Sequence, residues 1–459
     1  MNEESIRQIL EKQRAFYQSG KTLDLAFRRQ ALLALRKAIL SHEEQINDAL
    51  RADLGKSATE TYMCETGMTL SELSYMLSHM HRFARRRHVL TPLAQFPSDS
   101  FTVRDPYGVV LIMSPWNYPF MLCLEPLIGA LAAGNCCVLK PSAYAPATSA
   151  VIAKIVSSCF PEEHVAVVTG GRQENQALLS QRFDYIFFTG GVAVGREVMR
   201  HAAEHLTPIT LELGGKSPCI VDATAKLDVA ARRLVFGKLL NCGQTCVAPD
   251  YLLIDRRVQE PFIERVKYWI VRMYGEDPLT HDGYVHMINR KHFDRVCGLI
   301  DPSKVLYGGK SDPATLRIQP TLLVDVTGDD PVMQEEIFGP LLPILPYDSI
   351  DEAFEFIQAR PHPLALYLFS EDRALQNRVL STLSFGGGCI NDTIIHLATS
   401  RMGFGGVGDS GMGSYHGKKS FDTFSHEKSI VNKSTLIDLP MRYAPYSPLT
   451  GRLLRLFLR

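Results

Sequence analysis

No stretch of this 459-residue chain approaches the roughly twenty consecutive apolar residues of a membrane-spanning helix, so no integral span is expected. Neither sign of charge is in excess: Lys plus Arg and Asp plus Glu number 49 each. Without a basic field to gather phosphates, nucleic acid is not an expected partner. The opening residues, Met1-Asn2-Glu3-Glu4-Ser5, have neither the basic start nor the apolar run of a secretion signal, and a cytoplasmic location is expected. There is no C-x2-C pair, no His-Glu-x-x-His and no carboxylate cluster, so no metal site is expected. The ten cysteines mostly have apolar neighbours, as in Asn135-Cys136-Cys137-Val138-Leu139, and read as reduced, buried thiols.

What is present is an ordinary globular balance, 46% hydrophobic and 21% charged, in a chain too long for one core. Two or three domains are expected. The first hundred residues have helical texture. Leu32, Leu35 and Ile39 share a face, as do Ile46, Leu50 and Leu54. Ser41-His42-Glu43-Glu44 has the form of a capping box between them, and Gly55 that of a stop. From about Val103 short apolar runs alternate with helical segments, at 109–113, 136–139, 165–168 and 185–188. That is the pattern of βαβ units on a parallel sheet, which binds ligands beyond the carboxyl ends of its strands. A second alternating region has runs at 218–221, 251–254, 321–324, 341–344 and 365–369. The break at 208–213 places Glu212 near a hinge between two α/β units, where a cleft is expected.

Three residues have the chemistry of an acyl-transfer site. Cys246 lies in Gly243-Gln244-Thr245-Cys246-Val247-Ala248, among side chains small enough to admit a carbonyl. A nucleophilic thiol needs backbone N–H groups, a helix start or a cation to lower its pKa; the plain alternative is a buried cysteine. Asn117, in Ser114-Pro115-Trp116-Asn117-Tyr118-Pro119, would present an amide at the end of a strand, either as an oxyanion donor or as a turn cap. Glu212, in Thr210-Leu211-Glu212-Leu213-Gly214-Gly215-Lys216, is a lone acid in an apolar run. Burial would make it a base near neutrality; pairing with Lys216 would make it structural. Thr189-Gly190-Gly191-Val192-Ala193-Val194-Gly195 is a glycine turn opening a helix, a place for a pyrophosphate, although it lacks the G-x-G-x-x-G spacing. Gly403-Phe404-Gly405-Gly406-Val407-Gly408 has that spacing but no strand before it, and is discarded.

From about residue 20 to the last ten, these strings resemble the NAD(P)-dependent aldehyde dehydrogenase superfamily, most of all its class 3 branch for fatty and aromatic aldehydes. The resemblance implies two doubly wound α/β domains, a Rossmann-like cofactor domain (1–82 and 104–211) and a catalytic domain (212–412). It adds a small β oligomerisation arm (83–103 and 413–435) that makes a homodimer, and leaves 436–459 as a tail. It implies oxidation of a small aldehyde, medium-chain aliphatic or aromatic, to the acid with NAD or NADP. Cys246 would be the nucleophile, Asn117 the oxyanion donor and Glu212 the base. Trp116, Lys140, Gly190, Gly191, Gly195, Glu336 and Phe338 would hold the cofactor, with Lys140 at the adenosine ribose and Glu336 and Phe338 at the nicotinamide ribose and ring. Tyr62, Tyr118, Ile394, Ile395, Phe404 and His416 would line an apolar tunnel for the substrate. The alternatives are an acylating, coenzyme A-dependent dehydrogenase and a catalytically silent structural protein on the same fold.

Two departures from the family pattern stand out. Cys242, one helical turn before Cys246 if the segment is helical, replaces an expected small residue and is either a bystander or a resolving thiol. Ala143, in Lys140-Pro141-Ser142-Ala143, replaces a ribose-binding glutamate common in NAD-preferring members. The tail segment from Arg452 to Arg459 is expected to pack on protein, near a dimer partner or the substrate entrance, with peripheral membrane contact as the alternative.

Overall fold

Strand and helix identities follow the apolar spacing closely in a computed structural model, which describes residues 2–457. Met1, Leu458 and Arg459, the ends of the segments read above, lie outside the described residues. Helices Leu25–Ser41 and Glu43–Leu54 bury the two expected faces completely, Leu32, Leu35 and Ile39 on one and Ile46, Leu50 and Leu54 on the other. The capping box does not form. His42 is the N-cap without a side-chain bond, and the Ser41 hydroxyl instead donates to the Ala38 carbonyl at 3.0 Å. Gly55 ends the second helix at φ 77°, as its position suggests.

Two parallel sheets carry the fold. The first runs, in spatial order, Gly411–Met412, Ile209–Leu213, Tyr185–Gly190, Val109–Met113, Cys136–Lys140 and Val165–Val167; only the Gly411–Met412 edge is antiparallel. The second runs Val305–Tyr307, Thr321–Leu323, Leu341–Tyr347, Tyr251–Asp255, Pro218–Val221, Ala365–Phe369 and Gly387–Ile390, again with one antiparallel edge, at Val305–Tyr307. The chain leaves the first sheet at Leu213 and enters the second at Pro218, so the crossing lies at 214–217, just after the expected break at 208–213, which holds the last parallel strand of the first sheet. A third, antiparallel sheet joins Arg87–Val89, Ser98–Pro106 and Ser425–Lys433, the last two paired over nine residues. Its returning strand starts at Ser425. Residues 413–424 pack inward instead, with helix Lys418–Thr423 against helix Met121–Ala133. In helix Pro448–Phe457, Leu449 is 65% and Leu456 71% exposed, while Leu453 and Leu454 are half-buried. No described helix is long and apolar enough to cross a membrane.

One buried ion pair ties the helical layer to the first sheet. Lys56 Nζ lies 2.6 Å from Glu65 Oε1, with both side chains at 0% exposure. Glu65 Oε2 also accepts from the backbone N–H groups of Phe120 and Met121, at the start of helix Met121–Ala133, which is buried all round. Lys56 Nζ in turn donates to the Asn117 carbonyl at 3.0 Å and sits 4.1 Å over the Tyr118 ring. Removing one partner of such a pair leaves an uncompensated buried charge, at a cost of about 3–5 kcal/mol. Lys56→Met is therefore expected to lower the stability read by chemical denaturation by at least about 3 kcal/mol, and Lys56→Met with Glu65→Gln by clearly less. An unchanged midpoint in the single variant would show that the pair is not structural.

Candidate active site

The loop that carries Cys246 is shaped by three consecutive left-handed residues. Asn241, Cys242 and Gly243 have φ of 52°, 55° and 73° and reverse the chain after helix Leu227–Leu239. Cys242 is thus not one helical turn from Cys246. It is fully buried and its thiol faces the Tyr284 hydroxyl at 3.5 Å, which favours the bystander reading. Left-handed conformations cost non-glycine residues about 1–3 kcal/mol each, so the surroundings must fix them. The Asn241 N–H donates to Glu60 Oε1, and its side chain donates to the carbonyls of Asn117 (2.8 Å) and Gln244 (3.1 Å). The Gln244 amide bridges the Asn241 and His286 carbonyls and accepts from the Ile288 N–H. Gly243 can be nothing else: a Cβ there would sit 2.3 Å from the Gly339 carbonyl oxygen.

Cys246 is partly exposed, and it lines two cavities at once. The field around it is the opposite of the one a nucleophilic thiol was expected to need. Burial, then the nearby Glu336 and Glu212 carboxylates, push the thiol pKa up, and the backbone N–H groups of Cys246 and Val247 offset this only in part. The resting thiol is therefore protonated, and a base has to act.

Glu212 is that kind of group. It is 3% exposed in strand Ile209–Leu213, and neither carboxylate oxygen has a hydrogen-bond partner. Burial alone holds its pKa well above the ordinary carboxylate range. Lys216 does not pair with it. Lys216 is bound to Asp250 at 2.5 Å and to the Val332 and Glu335 carbonyls. Asn117 is 3% exposed, and its side-chain amide donates to the Gln244 carbonyl at 3.0 Å. One N–H is thereby committed to holding the two loops together, and the amide's second hydrogen is the one left for an oxyanion.

The larger cavity, about 470 Å³, brings together Trp116, Asn117, Thr189, Gly190, Gly191, Glu212, Cys246, Glu336 and Phe338. Gly191 caps helix Val192–Glu204 with no side chain over it and open space where a Cβ would point, which suits a phosphate group. Glu336 Oε1 and the Thr189 hydroxyl are buried without partners. Burial, then Asp250, pushes Glu336 up to about 8. Gly214 lets this carboxylate approach, since a Cβ there would lie 2.1 Å from Glu336 Oε2. Trp116 packs edge-on against Phe338 at 5.3 Å. Orphaned polar atoms, an uncapped helix start and an aromatic wall fit a dinucleotide. Two expected cofactor residues do not line this cleft. Lys140 is 3% exposed, with its Nζ donating to the Pro141 and Gly170 carbonyls. Gly195 lies inside helix Val192–Glu204, where a Cβ would strike Leu213, so it serves helix–strand packing. Two cleft residues had no sequence signal. His292 (4.9 Å from Trp116) and Arg295 come from the short helix Arg290–Cys297, which reads as any surface helix.

The second cavity, about 200 Å³, is almost wholly apolar. Tyr118, Ile394, Ile395, Phe404 and His416 line it as expected, whereas Tyr62 does not and is 52% exposed on a π-helical turn. Met63, Met68, Phe236 and Leu397 complete it without having been singled out by any motif. The Tyr118 hydroxyl is satisfied by Thr245 at 2.7 Å.

The aldehyde dehydrogenase family profile matches residues 1–430. The chain is 47% identical to 4,4'-diaponeurosporen-aldehyde dehydrogenase of Staphylococcus aureus, over 96% of each protein. It is 45% identical to the dimeric NADP-preferring aldehyde dehydrogenase of Canis lupus familiaris, over 96% of this chain and 98% of that one. Among solved structures, the substrate-bound state of Staphylococcus aureus AldH superposes with a TM-score of 0.97 at 46% identity, covering 99% of both chains. The NAD+ complex of a Bacillus cereus aldehyde dehydrogenase superposes at 0.85 and 26% identity, covering 94% of this chain and 89% of that one. With a thiol shared between an apolar tunnel and a cleft shaped for a dinucleotide, the chain belongs to the aldehyde dehydrogenase family and is an NAD(P)-dependent enzyme that oxidises an aldehyde to its carboxylic acid.

Proposed function

We propose that the apolar cavity receives the aldehyde, the polar cleft the dinucleotide, and that Cys246, which with Leu122 is common to both, is where they react. Cys246 passes its proton to water as its sulfur bonds to the carbonyl carbon, and the carbonyl oxygen becomes an oxyanion facing the free N–H of Asn117. The dinucleotide, when bound, supplies the two-electron oxidant that converts this adduct to a thioester. Glu212, unpartnered and raised in pKa, takes a proton from water, the water adds to the thioester, and the carbon–sulfur bond breaks to release the acid. The unpartnered Glu336 oxygen and the Phe338 ring hold the nicotinamide end of the cofactor, and Gly191 the pyrophosphate. A base poised for water favours hydrolysis over release to coenzyme A.

The tunnel's volume and apolar wall suit medium-chain aliphatic or aromatic aldehydes. The first sheet is the cofactor-binding unit and the second the catalytic unit. The arm leaves Leu90, Leu93 and Phe96 exposed at 96%, 69% and 56%, which supports a homodimer, as does the dimeric relative. A cytoplasmic location accords with ten free cysteines.

Cys246→Ala is expected to abolish oxidation while the fold persists. Glu212→Gln is expected to form one equivalent of reduced cofactor and then stall. The pH dependence follows from the sign of the Glu212 shift: the protonated acid is an inactive base, so a raised pKa moves the rising limb of thioester hydrolysis above the ordinary carboxylate range. Single-turnover decay of the thioester across pH checks this; a limb that persists in Glu212→Gln would assign the proton elsewhere.

Cofactor choice rests on Ala143, which is exposed and carries no charge to repel a 2′-phosphate. NADP is expected to serve within about tenfold of NAD in kcat/KM, a gap of about 1.4 kcal/mol. Ala143→Glu is expected to shift preference toward NAD. Strict NAD dependence of the unaltered enzyme would remove the argument.

A further inference from the structure

Resting on the reading of the apolar cavity as the aldehyde site, one pair of side chains on its wall has no part in the chemistry above. His416 faces the tunnel, with its ring 4.1 Å from that of Tyr415 and edge-on to Phe404 at 5.8 Å. Its backbone is held in the left-handed region at φ 80°, where a histidine stays only if its surroundings fix it. They do: its N–H donates to Ser420 Oγ at 2.8 Å, and the next N–H, of Gly417, to Glu72 Oε1 at 2.7 Å. No hydrogen bond from either ring nitrogen is formed among the described residues. Behind the ring stands Glu125, one turn along the buried helix from Met121 and Leu122, which line the tunnel. Its Oε2 is 3.6 Å from His416 Nδ1, its side chain is 1% exposed, and neither oxygen has a hydrogen-bond partner.

Burial disfavours the charged form of both groups. Burial, reinforced by Glu72 and Glu65, holds Glu125 far above the carboxylate range, and burial lowers His416 to about 3. A neutral carboxyl has one O–H to donate, and a neutral imidazole accepts at one nitrogen while donating from the other. Closing this 3.6 Å gap would place the Glu125 proton on the Nδ1 lone pair and leave the imidazole hydrogen on Nε2. The tunnel wall then carries a single fixed N–H donor in apolar surroundings, where a matching acceptor is selected strongly because an unmatched one loses its water for nothing.

We propose that Glu125 and His416 form a specificity site for an oxygen acceptor on the tail of the aldehyde, so that substrates with a tail hydroxyl, ether or second carbonyl are preferred to their hydrocarbon counterparts. The experiment compares kcat/KM for unbranched aldehydes across chain lengths with their monohydroxylated counterparts, the hydroxyl moved along the tail. At one or more positions the hydroxylated member is expected to lead by about tenfold. In Glu125→Leu that ratio is expected to fall to about one. In Glu125→Gln it is expected to survive, because an amide N–H can also donate to Nδ1. Should Glu125→Leu fail to fold, His416→Asn, a residue that tolerates the left-handed backbone, is expected to lose the ratio as well. A plain-aldehyde KM that varies with chain length, with no hydroxyl position favoured, overturns the pair's role and leaves the tunnel reading intact, as does a preference that survives Glu125→Leu. A KM indifferent to chain length overturns both.

Discussion

The backbone carbonyl of Asn117 is the point on which the active centre turns. It accepts from Lys56 Nζ and from the Asn241 side chain, while the Asn117 amide reaches back to the Gln244 carbonyl. Three segments far apart in sequence are thereby clamped: the early helices, the turn after strand Val109–Met113, and the loop of Cys246. The clamp is dry, because Lys56 and Glu65 are fully buried. Bonds of this kind are strong when complete and costly when broken, so they specify one arrangement sharply. They also explain how three left-handed residues persist beside the thiol. The strain is balanced by side-chain bonds from Asn241 and Gln244 that no relaxed backbone would make.

With that geometry set, the electrostatics around the sulfur follow from burial rather than from ion pairing. Two carboxyls, Glu212 and Glu336, border the same cleft as Cys246, and each raises the energy of a thiolate. This field keeps the Cys246 thiol protonated. The two acids differ in their partners. Glu336 feels Lys216 and Arg295 and accepts from the Gly215 N–H, which holds it near 8, while Glu212 has no partner at all. Different environments thus give two like groups in one cleft different proton affinities.

How much of this could be read from the sequence depended on whether a feature is local. The strands of both sheets and the residues of the short strings around Asn117, Glu212, Cys246 and Glu336 were legible because each string is contiguous and its apolar spacing determines its element. The cleft then gathers them. Lys140 and Gly195 fall outside the lining of the cleft because placement depends on tertiary partners: the Lys140 side chain turns inward to two carbonyls, and Gly195 lies against Leu213. His292, Arg295, Met63 and Phe236 left no trace because only the fold brings them to the cavities. Ser41 had the right residue type for a cap, but the Ala38 carbonyl won its hydroxyl. The expected thiol-activating field failed for the same reason: charge around Cys246 is a property of three dimensions.

The helix Met121–Ala133 shows why the two cavities have to meet where they do. It follows directly on the Asn117 turn and is buried on every face. Its first turn therefore cannot be moved without moving the sheet, and Leu122, in that turn, lines both cavities alongside Cys246. The wall that the two cavities share is thus made by Leu122 and Cys246, and Leu122 rests on a helix buried on every face. A hydride-transfer site tolerates little slack, since a displacement of about 1 Å can cost a hundredfold in rate. Placing that wall on a helix with no solvent face, capped by Glu65 and locked to Lys56, puts the positional tolerance of the reaction under the control of core packing rather than of a surface loop.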